Sequence, residues 1–311
     1  MGKKRDIILL STILFLLSTL LLTGCSGPSE PHDSVPAHQG TEGLVLRYMQ
    51  GQPPSRVYNG DQLDVTVELR NRGAFPSQES GEPFIGTIIL GGYDPVYLPF
   101  SPSYYILDGT ELYGKDQYNV EGSYATRTFS VPRVNIPRDV DFYRPTIQAT
   151  ACYEYKTFAA ASVCIDPDPW KSGVEDEVCD VTDVSMGSQG APIAVTRIEE
   201  DVTSQDIKFK ITFSNSGRGY AYDYMARDAC PDIEYVDLDK IDVHSVILSG
   251  AEIRGSCTPP NPIKMYNNQG FVVCSAQKPS DETPAYVTPL QITLKYGYMD
   301  SIKQQVEVVQ S

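Results

Sequence analysis

The feature that most limits how this chain can fold is a pattern it writes twice. Residues 60–73 read GDQLDVTVELRNRG, and residues 204–217 read SQDIKFKITFSNSG. In the first, Leu63, Val65, Val67 and Leu69 alternate with other side chains; in the second, Ile207, Phe209, Ile211 and Phe213 do the same, and both segments end on Asn-x-Gly. Alternation with a period of two marks a strand with one buried face. A further pair, QATACYEY at 148–155 and QITLKYGY at 291–298, recurs at nearly the same spacing. Two distant markers that return together point to a tandem duplication of one folding unit. The units are expected over 43–165 and 190–309.

Composition agrees with many short strands. The chain has 20 tyrosines and one tryptophan, with 23 prolines and 24 glycines to break it into segments, and helical periodicity is nearly absent. The expected fold is therefore all-β: two tandem immunoglobulin-like β-sandwich domains after an N-terminal signal or anchor helix. An acidic linker is expected over 166–189. The absence of alternating helices and strands disfavours a third possibility, the solute-binding lipoprotein of a transporter.

Each unit is expected to close with a β-hairpin. In the first, the strand 147–155 would turn near Phe158 and return through 161–165, with Ala149, Ala151, Tyr153, Tyr155, Val163 and Ile165 on one face. Cys152 and Cys164 would then oppose each other on the outer face and form a disulfide. The corresponding positions of the second unit are Lys295 and Glu307, an expected ion pair in place of the disulfide. Four further cysteines, Cys179, Cys230, Cys257 and Cys274, allow three connectivities; Cys257–Cys274 and Cys179–Cys230 are favoured. Paired cysteines without a C-x-x-C motif suit an oxidising compartment better than zinc or thiol chemistry.

The N-terminus supplies a location. Lys3-Lys4-Arg5 precedes a mostly apolar run from Ile7 to Leu22, which ends in LLTGC at 21–25. The run is closer to a secretory signal than to a full spanning helix. Its end resembles a lipobox, and the resemblance to lipoproteins implies cleavage after Gly24 and a lipid on the Cys25 sulfur. An uncleaved anchor over the same residues is the alternative, and both leave the remainder outside the cytoplasm. Residues 25–42 read as a flexible tether; its His32 and His38 are too loosely held to make a metal site.

The motif at Gly60–Gly73 is similar to the CARDB-type and S-layer-associated domains of prokaryotic, especially archaeal, surface proteins. The resemblance covers some fourteen residues of each unit. It implies adhesion, assembly or spacing at a cell surface and carries no catalytic residues. Tyr93, Tyr97, Tyr104, Tyr105, Tyr113 and Tyr118 (with Tyr124 beyond) could give an envelope protein or glycan a contact surface, or could pack over the sandwich. Asp166 and Asp168 form a weak calcium candidate at the junction. No other cofactor is expected.

The net charge of −15 argues against nucleic acid as a partner and against direct adsorption to anionic lipid, leaving the anchor as the attachment to a membrane. His244 lies in a strand-like segment without a nucleophile motif, so no catalytic residue is assigned. The alternative from another class is an envelope hydrolase working through a pair of carboxylates, which needs no local motif.

Overall fold

The computed structural model describes residues 38–170 and 178–310. The signal segment, Cys25, His32 and the acidic residues Glu175, Asp176 and Glu177 lie outside the described residues. Among those described, no helix is long and apolar enough to cross a membrane.

The first half contributes β1 (Leu44–Tyr48), β2 (Arg56–Tyr58), β3 (Leu63–Asn71), β4 (Gly86–Gly91), β5 (Tyr104–Ile106), β6 (Tyr124–Val131), β7 (Phe142–Tyr143) and β8 (Thr146–Ile165). The second contributes β9 (Val184–Ser185), β10 (Ile193–Val202), β11 (Asp206–Asn215), β12 (Tyr220–Tyr222), β13 (Lys240–Leu248), β14 (Ala251–Glu252), β15 (Ile263–Lys264), β16 (Gln269–Gln277), β17 (Tyr286–Gln305) and β18 (Glu307–Val309). The only helical elements described are short 3-10 turns, Tyr224–Ala229 and Arg254–Ser256.

The two halves repeat one strand order. A sheet β1-β3-β6 in the first matches β10-β11-β16 in the second, where β9 adds an extra edge. The alternating residues that announced the repeat, on β3 and β11, are all buried. Both small sheets cover a single eight-stranded sheet whose main path runs β14-β13-β17-β8-β4-β5. The described residues, 38–170 and 178–310, belong to one compact unit.

The expected hairpins do not form. β8 runs straight through residue 158 for 20 residues and pairs antiparallel with all 20 residues of β17. The physical reason is in the sequence: YKTFAAASVCI at 155–165 contains no Gly, Pro, Asn or Asp that would turn the chain. The odd positions of β8 still face inward from Ile147 to Ile165, as the alternation requires. The end of each long strand therefore enters the other half. Tyr48 of β1 donates its hydroxyl to Ile302 O of β17 (3.3 Å) and Ile147 O of β8 (3.0 Å), whereas Thr157 of β8 donates to Ile193 O of β10 (2.6 Å). β18 continues this exchange by pairing with β2 and β7 of the first half.

The pairing has an approximate two-fold axis between Glu154 and Gly297, residues that correspond in the repeat and directly oppose each other. Tyr153 faces Tyr298 and Tyr155 faces Tyr296, and the four rings contact at centroid distances of 5.7–6.4 Å. Their hydroxyls tie the halves to the Asn-x-Gly turns. Tyr155 accepts from Phe75 N (3.2 Å) and donates to Asn71 Oδ1 (3.2 Å); Tyr298 accepts from Gly219 N (2.9 Å) and donates to Asn215 Oδ1 (3.1 Å). These hydroxyls explain the recurring glycine: a Cβ at Gly73 would collide with Tyr155, and one at Gly217 with Tyr298.

Three disulfides close the structure: Cys152–Cys230, Cys164–Cys179 and Cys257–Cys274. The last is the expected one. The other expected pairings are corrected by the straight strand, because Cys152 and Cys164 lie twelve residues apart on it, about 40 Å. The same extension separates Lys295 from Glu307. Lys295 pairs with Glu154 (3.1 Å), and Glu307 with Arg56 (2.6 Å) and Arg144 (2.5 Å).

Candidate functional site

The outer face of the shared sheet carries the polar chemistry. At the two-fold axis Glu154 opposes Gly297, with Lys156 opposite Lys295 beside them. Like charges facing each other across strands are unfavourable, and each lysine has its own carboxylate: Lys156 takes Glu82 (2.5 Å) and Lys295 takes Glu154. Glu154 also meets Arg227 (3.5 Å), which reaches Asp108 (3.7 Å).

The segment from β12 through the turn at Tyr224–Ala229 lies on this face, and Cys152–Cys230 fastens it there. Tyr224 puts its ring 3.9 Å from Lys295 Nζ, a cation–π contact. The Tyr222 ring occupies the space left by Gly297, and its hydroxyl is buried without a partner among the described residues. Burial raises its pKa far above the ordinary tyrosine value, so the phenol stays neutral. The sequence marks the insertion that carries Tyr220, Tyr222 and Tyr224 ahead of Cys230 as a second tyrosine-rich segment, but does not connect it with Glu154, Lys295 or Arg227. The signal for its seat is the glycine of KYGY at the position where the first unit has glutamate.

Beside the cluster lies a trough of about 780 Å³. Its floor comes from Phe158, Ala160 and Ser162 of β8, Thr293 of β17 and Ile247 of β13, and the strap 184–189 borders it. The strap is held by its own side chains: Gln189 accepts from Val195 N (2.9 Å) and donates to Val195 O (3.0 Å), and Ser188 accepts from Gly40 N (2.9 Å). Apart from His38 the lining has no ionisable side chain. Such a surface suits an uncharged ligand with hydrogen-bonding groups.

The tyrosines singled out in the sequence divide. Tyr93, Tyr97 and Tyr105 pack on the core, edge-on to Phe100, Tyr143 and Phe129. Tyr113 is half-buried. Tyr104, Tyr118 and Tyr124 are exposed, Tyr118 by 89%.

Asp166 is buried, and its Oδ1 accepts from Asp168 N (2.9 Å) in a local turn. Among the described residues no three His, Cys, Asp or Glu side chains are grouped to hold a metal ion. Close to Asp166 in charge is Glu200 of β10, a residue that the sequence did not single out. Burial first, and then the Asp166 carboxylate, raise its pKa from 4.5 to about 7, and one carboxyl oxygen is buried without a partner among the described residues. Neither acid lines any of the five concavities described. His244 is exposed at the irregularity between Val243 and Ser245 of β13. No protein-family model matches the chain and no curated protein is similar to it, so its two halves are each other's reference.

Proposed function

We propose that this is a lipid-anchored extracytoplasmic protein that binds, adheres or spaces without catalysis, built from two immunoglobulin-like units that arose by duplication. The observation that carries the reading is the set of three disulfides, two of which, Cys152–Cys230 and Cys164–Cys179, fasten loops onto a sheet shared by both halves. Cystines of this kind fit an oxidising environment outside the cytoplasm. A sheet that runs unbroken through both halves, with loops tied across it, makes a stiff body suited to holding a contact surface away from a bilayer. Lipidation at Cys25 would supply the attachment that the acidic surface does not.

Two experiments test the reading. In a host that processes lipoproteins, the protein should partition with membranes, and Cys25→Ala should release it; membrane association unchanged by that substitution would remove the lipid anchor. Affinity capture from an envelope extract, with residues 43–311 as bait, should recover a bound protein or glycan. Turnover of an envelope polymer with no bound partner would instead favour a carboxylate hydrolase.

A further inference from the structure

The outer face of the sheet β1-β3-β6 carries a basic concavity in an otherwise acidic protein. It encloses about 250 Å³ and is lined by Val45, Arg47, Glu68, Arg70, Arg72 and Glu121. Strand register assembles most of it: Arg70 lies opposite Val45 on one side and Tyr124 on the other, and Arg47 opposite Glu68. Arg70 touches Glu68 only through Nε (3.4 Å), and its guanidinium stands 5.2 Å from the centre of the exposed Tyr124 ring. Arg72 touches Glu42 through Nε (3.3 Å). Arg47 is exposed and has no ion-pair partner among the described residues. The terminal nitrogens of three guanidinium groups thus remain available as donors.

The second half provides an internal control. In its equivalent sheet, Ser214 and Ser216 stand where the first half has Arg70 and Arg72, and Thr212 stands in place of Glu68. By register Arg197 corresponds to Arg47, but it is neutralised by Asp183 and Glu199. The fold therefore does not require a basic cluster at this place.

We propose that this concavity binds an acidic saccharide, with the uronate carboxylate held by Arg47, Arg70 and Arg72. The planar forks of arginine match a carboxylate in two-pronged contacts. Glu68 and Glu121 accept from hydroxyls, which every residue of an acidic sugar presents beside its acid group. The Tyr124 ring stands under the Arg70 guanidinium and holds it toward the concavity. The same glutamates and the net charge of −15 oppose an anionic bilayer. The assignment rests on the binding-module reading above and names its ligand class.

The test uses the full chain in detergent micelles and calorimetric titration with a trimer of galacturonate and the neutral trimer of galactose. The charged trimer should bind, more weakly as salt rises, and the neutral one should not. The double variant Arg70→Ser/Arg72→Ser, which copies the residues of the second half, should weaken binding by about 10- to 100-fold. Arg197→Ser should leave it unchanged. Four results overturn the assignment: equal binding of both trimers, an unaffected double variant, full displacement by equimolar inorganic sulfate, or binding of phosphatidylglycerol vesicles in place of the saccharide. No uronate binding by a protein that Cys25→Ala still releases from membranes removes this ligand and leaves the anchored-module reading standing. Uronate binding by a protein found away from the envelope does the reverse.

Discussion

Removing one hydroxyl from each half measures whether the halves fold as one body. Tyr155→Phe leaves the buried Phe75 N–H without its acceptor, whereas Asn71 Oδ1 keeps Gly73 N (3.2 Å). Tyr298→Phe does the same to Gly219 N–H, and Asn215 Oδ1 keeps Gly217 N (3.1 Å). One orphaned buried donor costs about 1–3 kcal/mol, so the two substitutions should be similarly destabilising. The two hydroxyls share no hydrogen-bond partner, and the double variant should show nearly the sum. The assay is guanidinium unfolding with disulfides intact, followed by far-ultraviolet dichroism and tyrosine fluorescence. With β8 and β17 shared along their full length, both substitutions should move one common transition. Two resolved transitions, each shifted by only one of the substitutions, would refute this reasoning.

Three other perturbations have signed outcomes. Because the Glu200 carboxyl titrates at about 7 when folded and at 4.5 ordinarily, the folded state holds a proton that the unfolded chain releases between those values. Stability should fall as pH rises through that window, by about 1–2 kcal/mol once solvent screening of this partly exposed group is allowed for. Glu200→Gln should flatten the profile and raise stability at alkaline pH; a profile identical to the parent would contradict the assignment. A Cβ at Gly297 would lie 2.6 Å from Tyr222 Cδ2, so Gly297→Ala should cost about 1–3 kcal/mol, and Tyr222→Leu in the same chain should recover part of it. Equal costs with and without Tyr222 would show that the ring does not fill this space. Removing Cys152–Cys230 by paired serines should expose Glu154 and Lys295 and speed amide exchange at Tyr222–Cys230, with β3 and β11 unaffected.

Much of the fold was legible, for identifiable reasons. The period-two alternation at Leu63–Leu69 and Ile207–Phe213 fixes which face of β3 and β11 is buried, and it needs no knowledge of the partner strand. The Asn-x-Gly turns recur because tyrosine hydroxyls approach both glycines. The destination of the long strands was not legible. Parity assigns Ala149, Tyr153 and Val163 to one face whether the chain turns at Phe158 or runs on, so alternation cannot distinguish a hairpin from an exchanged strand. The missing turn residues between Tyr155 and Ile165 were the discriminating signal. The cystine pairing depends on the same point: Cys152 and Cys164 oppose each other only through a turn at Phe158, and the strand does not turn there. The cluster around Tyr222 and Arg227 was hidden because its members come from strands and an insertion remote in sequence, joined only once the outer face is built. The basic concavity is also a product of register: Arg47 and Arg70 stand on different strands, and the repeat that lacks their chemistry shows its significance only after the halves are aligned in space.

Mapping the native cystines by mass spectrometry of unreduced peptides bears most directly on the exchanged strands. Straight strands place Cys152 with Cys230 and Cys164 with Cys179, and those linked peptides are the expected result. A peptide joining Cys152 to Cys164 requires the chain to fold back at Phe158, and finding it would contradict the shared sheet.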